Sequence, residues 1–85
     1  MAQIELIDFY ADWCGPCQSM KPIIENLEEE LKDVKFTKIN VDEHQDEAQK
    51  YNVMSIPTFV IKKDSEVVDQ LSGILTKETL IEKLK

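Results

Sequence analysis

The chain has 85 residues, with ten basic and seventeen acidic side chains and a formal net charge of −7. Apolar residues make up 42% of it, enough for one small domain, 1–85, in which roughly 60% of the unfolded surface is buried on folding. The acidity argues against nucleic acid or an anionic membrane surface as partner and suits a soluble monomer.

No apolar run approaches the ~20 residues of a membrane span. Met1-Ala2-Gln3 leads straight into a strand-like run, so no signal peptide is expected and the cytoplasm is the expected compartment. Residues 3–10 are nearly all apolar, interrupted by Glu5 and Asp8, and read as a central strand covered on both faces. From about Pro16 to Lys32, positions 20, 23, 24, 27 and 31 follow helical spacing. Pro22 falls inside this helix and removes a backbone hydrogen bond. Lys35–Val41 alternates as a second strand, expected parallel to the first through a right-handed crossover. Asp42 is the expected N-cap of a short helix reaching about Tyr51 and closed by Asn52 and Val53. Phe59–Ile61 and Val67–Leu71 form an expected antiparallel hairpin across the polar turn 62–66. Thr76, with Glu78 and Thr79, opens a last helix bearing Leu80, Ile81 and Leu84. The fold class is therefore α/β: a four-stranded mixed sheet with three helices, in the order β-α-β-α-β-β-α.

Cys14 and Cys17 enclose Gly15-Pro16 at the first strand-to-helix junction. A helix N-terminus carries unpaired N–H groups and a partial positive charge, which favour a thiolate. Cys14, at the exposed start of the helix, is the expected nucleophile. Cys17, one turn further in, lies on the same face and within bonding reach. A structural bridge over so short a loop would constrain the unfolded chain little. Zinc needs four ligands, and His44 is the only histidine, so a zinc half-site would require a dimer or carboxylates to complete it. Pro16 suits the first helical turn, where its missing N–H is not needed. Asp8 is an acid in an otherwise apolar strand: either a proton acceptor whose affinity burial raises, or an acid hydrogen-bonded for structure alone. Trp13 is a docking surface beside the thiol or an idle surface ring. Met20, Tyr51 and Met54 read as packing residues, and His44 as solvated.

The string Trp13-Cys14-Gly15-Pro16-Cys17 after Asp8-Phe9-Tyr10-Ala11-Asp12, with Ser55-Ile56-Pro57-Thr58 further on, resembles the thioredoxin family along the whole chain. The chain departs from the family pattern in lacking the usual N-terminal strand and helix, which makes it glutaredoxin-sized. It also has Tyr10 where tryptophan is common, and no glycine in the turn Lys63-Asp64-Ser65-Glu66. The resemblance implies a protein dithiol–disulfide oxidoreductase that reduces target proteins through Cys14 and Cys17. Cys14 attacks, and Cys17 resolves the mixed disulfide. It further implies that Asp8 accepts the Cys17 proton through water, with Lys38 as the partner of Asp8, and that Gly15-Pro16 goes with a reducing potential. Pro57 would be cis, although a trans proline opening an edge strand fits the residues too. Ile56 would offer backbone groups to an extended target segment. Gly73 would line the same groove with Trp13, Ile56 and Pro57, or merely end a strand. Re-reduction would come from thioredoxin reductase or an equivalent. With no phosphate-binding glycine loop and no flavin motif, no bound cofactor or metal is expected. Rival readings keep the fold and change the role: a glutaredoxin-like reductant, a thiol oxidant or isomerase, or a non-catalytic binding module.

Overall fold

The computed structural model describes residues 3–85. Strand β1 (Ile4–Tyr10) leads into helix α1 (Gly15–Glu30), followed by β2 (Val34–Asn40) and α2 (Gln45–Lys50). Strands β3 (Thr58–Lys63) and β4 (Glu66–Ser72) and helix α3 (Lys77–Lys83) complete the expected order. The sheet order is β2-β1-β3-β4. β1 is paired on both edges, parallel to β2 and antiparallel to β3. β3 and β4 form the antiparallel hairpin.

The central position of β1 follows from its composition. Leu6, Ile7 and Phe9 are all buried, and alternation sends them to opposite faces. Leu6 joins Met20, Ile24 and Leu27 of α1, Phe59 and Ile61 of β3, and Leu80 and Leu84 around α3. Ile7 and Phe9 form a smaller cluster with Val60 on the other face, against Ile39, Tyr51, Val53 and Ile56. The two polar residues of β1 divide in the same way. Glu5 takes a hydrogen bond from Thr37 Oγ1 at 2.6 Å, on the side of Ile7. Asp8 faces the α1 side with Leu6.

α1 continues across Pro22 and ends with Leu31 as its C-cap, whose N–H bonds to the Leu27 carbonyl. Thr76 caps α3 as expected, its hydroxyl accepting the Thr79 N–H at 3.1 Å. The expected cap of α2 is not Asp42. Residues 41–43 form a turn, in which the Asn40 carbonyl receives the Glu43 and His44 N–H groups, and α2 starts later, with exposed His44 at the N-cap position. Asn52 closes α2 in the left-handed region, at φ 55°.

The hairpin turn between β3 and β4 does without glycine. Asp64 and Ser65 both have positive φ, 51° and 72°, as a two-residue loop matching the strand twist requires. Two bonds hold Asp64 there: its N–H donates to the Gln3 carbonyl at 2.8 Å, and its Oδ1 accepts the Gln3 N–H at 2.9 Å. Ser65 has no such tie among these bonds and carries the cost of a left-handed Cβ, about 1 kcal/mol. Ser65→Gly is expected to raise stability by up to about 1 kcal/mol, and Leu27→Ala, in the main core, to lower it by about 2–5 kcal/mol. Urea unfolding of the two variants checks both signs; a Ser65→Gly protein less stable than the parent contradicts the strain reading.

Candidate active site

Ala11, fully buried at the end of β1, accepts the Cys14 N–H on its carbonyl at 3.2 Å. That bond closes the Asp12–Trp13 turn and leaves Cys14 as the N-cap residue of α1. Cys14 Sγ then accepts the Cys17 N–H at 3.1 Å. A sulfur stands where a serine or aspartate oxygen ordinarily caps a helix. The same N–H and the positive end of the helix favour a thiolate at Cys14. Pro16, in the first turn, gives up no hydrogen bond. Cys14 and Cys17 are joined in a disulfide with Cα atoms 5.2 Å apart. The expected exposure of Cys14 is not met: it is 3% exposed and Cys17 9%. Tyr10, Val41 and Ile56 pack against the pair from three separate segments, which local helix geometry does not reveal.

Behind the disulfide lies a recess of about 280 Å³ that Asp8, Cys17 and Lys38 share. Burial pushes the Asp8 carboxyl up to about 6; the Lys38 ammonium pulls it down and the Glu28 carboxylate pushes it up. Lys38 stands directly across from Asp8 in the β1–β2 register. Its ion pair, however, is with Glu28 of α1, Nζ to Oε1 at 3.1 Å, and not with Asp8 as expected. Only the packing of α1 beside β2 brings Glu28 to Lys38.

Beside the dithiol is an apolar groove of about 410 Å³, lined by Trp13, Val41, Val53, Met54 and Ile56 among others, two of which, Val41 and Ile56, also pack on the Ala11–Cys14–Cys17 cluster. Trp13 is 71% exposed, and its Nε1 donates to Asp42 Oδ2 at 2.8 Å. Asp42 therefore steadies the ring instead of capping α2, a role across 29 residues that no local signal carries. Met54 is 87% exposed on this groove and is no packing residue. It belongs to the loop before β3, where neither sheet nor helix covers it. Met20 and Tyr51 do pack as expected, Tyr51 with its ring centroid 5.7 Å from that of Phe9. The Ile56–Pro57 peptide bond is cis. Gly73, at φ 90°, donates its N–H to the Pro57 carbonyl at 2.9 Å, which ties it to the proline but leaves it outside the groove lining. A Cβ at Gly15 would meet nothing within 4 Å, so the space over the first turn is open to an approaching chain. Among the described residues no group of three or more His, Cys, Asp or Glu could hold a metal ion, and no helix is long and apolar enough to cross a membrane.

The model of the family described as Thioredoxin matches residues 1–85. The chain belongs to the thioredoxin family. Thioredoxin from Bacillus subtilis is 50% identical over 80 residues, 93% of this chain and 77% of that protein. Thioredoxin from Chlamydia caviae is 46% identical over 76 residues, 89% of this chain and 74% of that one. A solved mutant thioredoxin from Halobacterium salinarum, 41% identical, matches with a TM-score of 0.91, covering 96% of this chain and 72% of its own. Like its thioredoxin relatives, the chain is a protein dithiol–disulfide oxidoreductase that reduces substrate disulfides through the Cys14–Cys17 pair. Thioredoxins as a family work with thioredoxin reductase and disulfide-bearing targets.

The raised affinity of Asp8 for its proton has a sign in stability. An acid that binds its proton more tightly when folded supports the fold fully below its unfolded pKa, near 3.8, and that support is lost as pH rises through about 6. At pH 8 the half-buried charge is destabilising by roughly 2–3 kcal/mol. Asp8→Asn is therefore expected to be more stable than the parent at pH 8 by about that amount, with little difference near pH 4. Chemical denaturation at the two pH values checks it, and parallel pH dependences in the two proteins would contradict it.

Proposed function

We propose that Cys14 is the attacking thiol and Cys17 the resolving one, and that the chain acts as a single domain, 1–85, in the reducing direction. The observation that carries the assignment is the cap: Cys14 Sγ receives the Cys17 N–H at the positive end of α1. A thiolate formed there attacks one sulfur of a target disulfide and displaces the other. Cys17 gives its proton to Asp8 and attacks Cys14 Sγ. The bond to the target breaks, its electron pair leaves on the target sulfur, and the Cys14–Cys17 disulfide remains. The recess shared by Asp8 and Cys17 has room for a bridging water to carry that proton.

With Cys14 so nearly closed, a target cysteine must be guided to it. Trp13, Ile56 and the open space over Gly15 and Pro16 supply the guide in this reading, and the backbone of Ile56 beside Pro57 pairs with an extended target segment. Gly73 contributes through its bond to Pro57. Lys38 acts from the far side, on Asp8. The chain's own partners are then an upstream thioredoxin reductase or its equivalent and disulfide-containing proteins. A dithiol that must return to its reduced form belongs in a reducing compartment, which supports the cytoplasm.

Cys14→Ser is expected to abolish reduction of a protein disulfide. Cys17→Ser is expected to accumulate a mixed disulfide through Cys14, visible on a non-reducing gel; a covalent adduct formed by Cys14→Ser instead would reverse the two roles. Equilibration against a defined thiol buffer is expected to give a potential near the value general to thioredoxins, about −270 mV, whereas about −120 to −180 mV would mark an oxidant or isomerase.

A further inference from the structure

We propose that Glu28 is a positioning residue of the dithiol site: it holds the Lys38 ammonium on its own carboxylate and so leaves Asp8 without an ion pair, free to accept the Cys17 proton. The inference rests on the role given to Asp8 above. Lys38 is the register neighbour of Asp8, the natural place for an ion pair between adjacent strands. Its ammonium instead lies 3.1 Å from Glu28 Oε1. Glu28 belongs to α1, about three turns beyond Cys17. The helix that carries the dithiol thus also carries the group that draws away the cation placed opposite its proton acceptor.

The consequence is chemical. A lysine bonded to Asp8 would stabilise the carboxylate and weaken it as a base toward a thiol, whereas a nearby carboxylate does the reverse. The groups facing Asp8 are Lys38 from β2, Glu28 and Lys21 from α1, and Asp12 and Tyr10 at the end of β1. Of these, Lys38 and Glu28 act on it most, in opposite senses. The Glu28–Lys38 pair is more than a third exposed on both sides and adds little to stability, so electrostatics is where its effect is read.

The test is the carboxyl titration of Asp8, followed by NMR on protein labelled with carbon-13 aspartate, in the parent, Glu28→Gln, Lys38→Met and the double variant. Single-turnover reduction of a peptide disulfide is measured across pH alongside. Glu28→Gln is expected to move the Asp8 midpoint down, toward the ordinary aspartate range, and Lys38→Met to move it up. With Lys38 already replaced, removing Glu28 is expected to have a smaller effect than in the parent. The acidic limb of the resolving step follows the midpoint down in Glu28→Gln. A midpoint unmoved or raised in Glu28→Gln, with or without a change in stability, overturns the proposal. A midpoint that falls while the pH profile stays fixed in both Glu28→Gln and Asp8→Asn overturns Asp8 as acceptor, and with it the part of Glu28 in the reaction, but leaves the grip on Lys38 standing.

Discussion

Strand β1 is hydrogen-bonded on both edges, and its C-terminal end decides where helix α1 begins. The Tyr10 carbonyl receives the Val41 N–H at 2.8 Å, and the Ala11 carbonyl receives the Cys14 N–H three residues on. These two bonds pin the start of α1 against the end of β2. The orientation of the first turn, and with it the aim of the Cys17 N–H at Cys14 Sγ, follows from that anchorage. A helix free to pivot about its N-terminus would not hold a sulfur in the cap position. The burial of Leu6, Met20, Ile24 and Leu27 in one cluster prevents the pivot by clamping α1 along its length to the sheet.

The same clamping creates the electrostatic tension at the centre of the site. Asp8 lies on the face of β1 that α1 covers, so covering the core also desolvates a carboxylate. A carboxylate placed there costs stability near neutral pH, while its raised proton affinity brings it closer to that of a thiol. Ile7 and Phe9, on the opposite face, carry no such charge, and Glu5 on that face is satisfied by Thr37. The unpaired acid is thus confined to the side that holds the dithiol.

The two hollows near the disulfide differ in kind. One is a polar recess with ionisable groups; the other is an apolar groove with a tethered indole. Tethering Trp13 to Asp42 limits the rotamer freedom of an exposed ring.

The order of elements, the centrality of β1, the parallel β1–β2 and antiparallel β3–β4 pairings and the cap at Thr76 were legible in the sequence, because each depends on local spacing: apolar alternation, helical periodicity, and a hydroxyl three residues before the N–H it receives. The dithiol was legible for the same reason. The burial of Cys14, the attachment of Asp42 to Trp13, the exposure of Met54 and the transfer of Lys38 from Asp8 to Glu28 were not. Each depends on which segments of the chain meet across the sheet or around α1. A charged side chain takes the best partner in reach, and that reach is set only once β2 and α1 lie side by side. The sequence by itself determined that a dithiol stands at a helix N-terminus after a central strand that carries an acid among apolar residues. Tertiary packing decided how closed that dithiol is and which neighbours tune its acid, since desolvation and Coulomb attraction depend on distances in space and not on separation along the chain.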